Sequence, residues 1–328
     1  MKRKNFLLLL FLTFCIGVSI KTAGASCGAA ICPLNVHHNL TVGQLHIQLL
    51  HEYINQNQIN VGSEKSFVGA LPNAHDEIKT INQRTLLELQ YGITGRFGLK
   101  AELPFIQREH SHIEDSTVES FGFDGVGDLK AVGEYTLPFS DWEFSPRLTL
   151  LAGIKFPTGK TDAANEDGEV AEITIQPGTG SWDGIFGLNL KKPLFRVKTV
   201  TGGLYSNLPV TVGVTYQVNG KGKDDYKFGE QILAHVGTEY LLFPHLSLLF
   251  QTDGRWQDFA DVGTAGEYRS NTGGTWIFVS PGLNVQFNQA FSAYVYAQLP
   301  VYQKVNGIQQ VAKLNLQVGL SANVNLLK

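Results

Sequence analysis

Seven of the nine histidines fall before residue 113, at His37, His38, His46, His51, His75, His110 and His112. His110 and His112 have the spacing that places two imidazoles on one face of a strand, and His37 and His38 closely follow Cys27 and Cys32, so zinc or copper ligands are present by type. Cys-x4-Cys followed by His-His is no zinc or haem spacing, and a terminal disulfide between Cys27 and Cys32 with solvated histidines accounts for the same residues. The expectation is therefore no metal site. His110-Ser111-His112 also sets a nucleophile beside a base, and Asp224-Asp225 is a carboxylate pair, which are the ingredients of a hydrolase. Neighbours on a strand point to opposite faces, however, so Ser111 meets neither imidazole if a strand runs through it. Gly159-Lys160-Thr161 imitates the end of a phosphate-binding loop, yet Ile154 stands where that loop needs glycine. Gly125-x-Gly127 lacks the third glycine and the following helix of a dinucleotide site. No catalytic residue and no cofactor is expected. Asp162, Glu166, Asp167, Glu169 and Glu172 crowd the segment Thr158 to Gly180. It reads as a solvated acidic loop, with an inward constriction or divalent-cation recruitment as the alternatives.

The first residues lead to the expectation that these groups lie outside the cytoplasm. Lys2, Arg3 and Lys4 precede an apolar run from Phe6 to Ile20, and Ala23-Gly24-Ala25 offers a small-residue cleavage site, so residues 1–25 read as a signal peptide. Acylation of Cys27 is disfavoured because Gly24-Ala25-Ser26 lacks the usual large apolar residue three places before it. The 26 Lys and Arg, less Lys2, Arg3, Lys4 and Lys21, leave 22 bases against 29 acids, a mature charge of −7. That argues against nucleic acid as a partner. Cys27 and Cys32 remain in an oxidising compartment, in a 26–41 periplasmic segment, where their small ring constrains little. No later run of about 18 apolar residues could form a membrane helix.

A period of two organises the rest. Leu314, Leu316, Val318, Leu320, Ala322, Val324 and Leu326 alternate with Asn315, Gln317, Gly319, Ser321, Asn323 and Asn325. A helix would repeat every three or four residues, and the run exceeds the roughly 9 to 11 residues needed to cross a bilayer as a tilted strand. The same alternation predicts strands at 42–56, 78–92, 97–109, 125–137, 142–156, 182–193, 199–216, 228–242, 246–257, 273–287, 291–302 and 312–327. The fold expected over 42–328 is an all-β transmembrane antiparallel barrel of about 12 strands. Tight connections near 92–97, 138–141, 193–198, 243–245 and 288–290 alternate with long ones at 57–77, 110–124, 157–181, 217–227, 258–272 and 303–311. Short periplasmic turns and long outer loops suit such a barrel, whereas a secreted soluble sandwich has no reason for them. Phe97, Phe139, Trp142, Phe195, Phe243, Phe287 and Phe291 read as an inner aromatic girdle, with Tyr53, Phe105, Phe156, Tyr216, Trp256, Trp276 and Tyr302 as the outer one. Pro104, Pro157, Pro209 and Pro300 should mark where pairing ends or bulges at the far end of upward strands.

If apolar positions face lipid, the other parity lines the lumen. That set comprises Glu52, Arg84, Glu88, Lys100, Glu102, Asp128, Lys130, Glu134, Arg147, Lys155, Asp183, Lys191, Glu239, Asp253 and Arg255. Near-balanced charge predicts cross-strand ion pairs that stiffen the wall and narrow the opening. About 8 strands are filled by their own side chains and 16 to 18 leave a water channel, so twelve predicts a narrow or gated path.

Gly125-Val126-Gly127-Asp128-Leu129, Phe156-Pro157-Thr158-Gly159, Gly178-Thr179-Gly180-Ser181-Trp182-Asp183 and Ser280-Pro281-Gly282-Leu283 occur in an order that resembles the phenol meta-degradation-pathway family of outer-membrane barrels, over residues 42 to 328. The resemblance implies an outer-membrane channel for small solutes, aromatic ones included. Outer-membrane lipid, lipopolysaccharide and the barrel assembly machinery are the expected partners. The chain departs from the usual pattern by ending on Lys328, where such barrels finish on an aromatic residue read by that machinery. A barrel serving as a hydrolase or metal-handling protein, and a structural or adhesive barrel, are the alternative functions.

Overall fold

The computed structural model describes residues 41–327 except 69, 71–76, 115–116, 140–143, 166–167, 200–204 and 266–267. The signal peptide, Cys27, Cys32, His37, His38, His75, Trp142, Glu166, Asp167 and Lys328 lie outside the described residues.

The alternating stretches form long antiparallel strands. β1 is Gln44–Val61, β2 Glu64–Ser66, β3 Glu77–Gly92, β4 Phe97–Glu114, β5 Thr117–Val126, β6 Lys130–Thr136 and β7 Arg147–Lys155. β8 is Asp183–Lys198, β9 Tyr205–Val218, β10 Gln231–Phe243, β11 Leu246–Gln257, β12 Gly274–Gln286, β13 Phe291–Val305 and β14 Ile308–Asn325. β14 closes on β1, from Gln44 opposite Asn325 to Val61 opposite Ile308. Closure removes the edges that hydrocarbon could not hydrogen-bond. Twelve strands make the ring, because β2 is only a flap on β1 and β5 pairs off the ring with β4.

The burial pattern is that of a membrane protein. In β14, Leu314, Leu316, Val318 and Leu320 are exposed while Asn315, Gln317 and Ser321 are buried. Water would invert that preference, so the exterior belt is the surface that meets lipid. The connections at 93–96, 244–245 and 287–290, and the strand ends at Thr136, Arg147, Lys198 and Tyr205, share one end with the start of β1 and the end of β14. Phe97, Phe139, Phe195, Phe243, Phe287 and Phe291 are all exposed near that end. At the other end Phe105, Tyr216 and Tyr302 are exposed, and Phe156 packs edge-on against exposed Trp182 at 5.1 Å.

Several boundaries depart from the sequence expectation. Residues 303–311 are no long loop: Asn306-Gly307, with Gly307 at φ +51°, turns β13 straight into β14. Asn-Gly is a two-residue hairpin signal that the polar composition of the segment obscured. In place of the loop expected over 110–124, residues 110–114 of β4 pair with 117–121 of β5, and the strand expected at 125–137 breaks at Gly127-Asp128-Leu129 between β5 and β6. β8 continues past Pro193 to Lys198 through a register shift between Pro193 and Arg196. Pro209 pairs with Pro193 there, at the short-turn end of β9 and not at its far end. Pro104 does mark a change, since β4 exchanges β6 for β5 beside it, and Pro300 sits at a register shift between Ile277 and Phe278. Trp276 is no girdle residue: only 6% exposed, it lies within the barrel under the Arg255 guanidinium, 5.1 Å from the ring.

Candidate functional site: the lumen and the loop that enters it

Of the fifteen charged residues singled out by parity, fourteen are buried or half-buried, and Arg147 is exposed at the short-turn mouth. Some make the expected ion pairs. Glu52, with no exposed surface, accepts from Arg84 on β3, and Lys100 lies 2.8 Å from Glu102 and 3.6 Å from Glu88. Others are held by amides and hydroxyls. Gln90 donates to Glu134 at 2.5 Å and Asn284 to Glu239 at 3.2 Å. Fully buried Asp253 accepts from Ser280 at 3.0 Å, from Gln298 at 3.3 Å and from Gln251, while Arg255 donates to Gln257. The carboxamides were not singled out in the sequence, although they share the parity of the charges.

Apolar groups also turn inward. Leu50, Leu86, Leu249, Tyr294 and Tyr296 form a buried cluster in the lumen. Each leucine belongs to a Leu-Leu doublet whose other member, Leu49, Leu87 or Leu248, is exposed on the lipid side. The doublets are the readable signal, because successive residues of a strand face opposite ways. Rings lie flat on the wall where glycine leaves room: a Cβ on Gly319 would stand 2.1 Å from Tyr294, and one on Gly213 2.2 Å from His235.

The acidic loop after β7 folds inward, against the solvated reading. Asp162, Glu169 and Glu172 keep to the surface, but Ala163, Ala171, Ile173, Ile175 and Gln176 are buried. The side chain of Gln176 clamps the loop, accepting from the Ala163 amide at 2.8 Å and donating to the Ala171 carbonyl at 2.6 Å. Ala171 and Ile175 pack on Phe121 of β5, and Arg108 of β4 donates both to the Ile175 carbonyl and to Asn82 of β3. Ile173 packs on Tyr226 and Ala260 from the next two outer connections. Small apolar residues interspersed among the acids made this possible, and charge counting concealed them.

Three of the four glycine-rich motifs meet where this loop leaves and rejoins the wall. Gly159 and Gly178 cross so closely that a Cβ on Gly178 would stand 2.5 Å from the Gly159 backbone. Asp128, in the break between β5 and β6, accepts from Lys155 at 2.7 Å, from the Gly159 amide at 2.9 Å and from the Thr179 amide at 3.0 Å. Lys155 also lies 3.0 Å from Asp183, which takes the Ser181 hydroxyl at 2.8 Å, the Gln217 amide group at 2.9 Å and the Gly220 backbone amide at 3.0 Å. Burial pushes the Asp128 carboxyl up, but the Lys155 ammonium and the two backbone amides outweigh it and hold the group below its usual range. This knot ties the loop to three wall strands.

Beneath it lies a cavity lined by Lys100, Glu102, Lys130, Thr215, Gln217 and His235, with Val132, Leu151, Ile185 and Leu233 as its apolar side. The other candidate groups are dispersed. His110 bonds to Thr80 at 2.8 Å and stacks on His112 at 5.5 Å, while Ser111 bonds to Ser120 across the opposite face. Among the described residues no group of three His, Cys, Asp or Glu is arranged to hold a metal ion. Asp224 and Asp225 sit in an exposed 3-10 turn, and Lys160 is exposed.

No family model matches the sequence, and no curated protein matches it. Among solved structures, the COG4313 outer membrane channel from Pseudomonas putida F1 is similar at a TM-score of 0.64 and 15% identity, over 90% of this chain and 100% of that one. The Pseudomonas putida toluene transporter TodX is more distant, at a TM-score of 0.38 and 10% identity over 87% of this chain and 89% of that one. A Pseudomonas aeruginosa FadL homologue has a TM-score of 0.43 and 8% identity, over 87% and 91%. The first likeness, at that identity, shows a shared fold, that of an outer-membrane β-barrel.

Proposed function

We propose that this chain is a channel of the bacterial outer membrane that passes small solutes through a narrow, gated lumen. The observation that carries the reading is the inward loop, tied by Lys155 between Asp128 and Asp183 across an interior lined with polar groups. A filled interior resists free diffusion, while a segment held by a few side chains is a part that can move. The fifteen lumen charges then line the path, with Arg147 at its inner mouth. The exterior belt faces outer-membrane lipid and lipopolysaccharide, and the barrel assembly machinery inserts the chain. The meeting of three motifs at the loop anchor supports the resemblance to the phenol meta-degradation-pathway barrels, and hence small organic solutes as cargo.

Single-channel recording of the refolded protein in a planar bilayer tests the proposal. Small, discrete openings are expected, lengthening when the loop from Thr161 to Gln176 is shortened. Large, permanent conductance to salts and sugars alike, or silence that persists after shortening, would sink it.

A further inference from the structure

Resting on the channel reading, we infer that the cavity under the loop anchor is a binding site for small organic anions, a carboxylate carried on an apolar body, with Lys130 as the anion-binding group. Lys130 occupies an unusual position among the interior charges. Across one strand pair it stands opposite Glu102, whose carboxylate is taken by Lys100 at 2.8 Å. Across the other it stands opposite Lys155, which is committed to Asp128 at 2.7 Å and Asp183 at 3.0 Å. The neighbours that could neutralise Lys130 are therefore occupied, and no described residue hydrogen-bonds or ion-pairs with its ammonium within 4 Å. Glu102, its cross-strand neighbour, attracts it, while Arg84, Lys155 and Lys100 all repel it.

An ammonium so placed inside a barrel is costly unless an anion arrives. The cavity supplies what the rest of such an anion needs. Val132 on β6, Leu151 on β7, Ile185 on β8 and Leu233 on β10 stand at lumen-facing positions and line the same space as Lys130. Four apolar side chains around one space would be a poor surface for water or a sugar. They give a ring or short alkyl chain an apolar wall beside the ammonium, and because the closed cavity measures only about 60 Å³, the anion enters as the loop lifts. Thr215 and Gln217 on β9 add polar groups at the rim of the same space. Gln217 also donates to Asp183 of the loop anchor at 2.9 Å, so the site lies directly under the gate.

The test titrates the refolded full-length barrel in detergent with benzoate, hexanoate, benzyl alcohol and benzylammonium by calorimetry, and records the same preparation in planar bilayers. Both carboxylates should bind, with the neutral and cationic analogues at least about tenfold weaker. Lys130→Gln should erase that difference and Lys130→Arg should keep it. Equal binding of benzoate and benzyl alcohol, or unchanged benzoate binding by Lys130→Gln, would overturn the assignment. Should Lys130→Gln fail to fold, the comparison of analogues on the native chain decides. Conductance without carboxylate binding removes this site and leaves the channel standing. Lys130-dependent binding by a barrel that never conducts removes the channel and leaves the site.

Discussion

Lys155 joins Asp128 and Asp183 where the inward loop leaves and rejoins the wall. Replacing it with methionine would leave Asp128 and Asp183 buried side by side without their shared cation, a loss of about 3 to 5 kcal/mol where one partner of a buried pair is removed. The expected result for Lys155→Met is a barrel that still folds but whose loop is cut by added protease and whose openings lengthen in bilayer recordings. Protonation should act in the same direction. Because the Asp128 carboxyl is held below its unfolded value, its contribution is present above the usual carboxylate pKa and is lost as pH falls through the depressed one. Open time should therefore rise only below about pH 4, and Asp128→Asn should show long openings at neutral pH. A constant open time down to acid pH would contradict this account. On the opposite wall, Gly319→Val would drive a side chain into the Tyr294 ring, which now lies over the bare backbone. A cost of about 1 to 3 kcal/mol is expected in urea unfolding, recovered in part by pairing the change with Tyr294→Ala.

At the scale of elements, loops and hairpins distribute the work. The hairpin of β13 and β14 turns on Asn306-Gly307, and the left-handed backbone of Gly307 makes valine there strained by about 1 to 2 kcal/mol. A lowered urea midpoint with unchanged conductance is expected of Gly307→Val, since the turn is remote from the loop anchor. The inward loop behaves oppositely, and its shortening should change conductance far more than stability. Strand periods were legible in the sequence because lipid on one side and polar lumen on the other force a period of two. The break between β5 and β6 was not, because it depends on Asp128 meeting Lys155, Gly159 and Thr179, residues 27 to 51 positions away. The inward fold of the loop was hidden for a similar reason. Asp162, Glu169 and Glu172 stayed in solvent as the sequence suggested, while Ile173 and Ile175 were decided by the cavity available to them.

For the whole molecule, the lipid-facing belt and the closed ring stand or fall together. Val318→Lys places a charge among the lipid-facing residues of β14 and should cost about 2 to 4 kcal/mol near the bilayer midplane. Refolding yield into vesicles should fall accordingly, and an unchanged yield would argue that this face does not meet lipid. By itself, the sequence determined that the chain is a barrel, which parity faces outward, and roughly where each of twelve strands begins, because those properties follow from alternation and turn chemistry along a single strand. Only the tertiary structure decided what the lumen holds. Whether Lys155 is bound and Lys130 left without a bonded partner, whether leucines and tyrosines enter the interior, and whether an acidic loop stays outside are questions of which side chains arrive at one place from strands far apart in the chain. Closure of the ring fixes those meetings, and no local pattern records them.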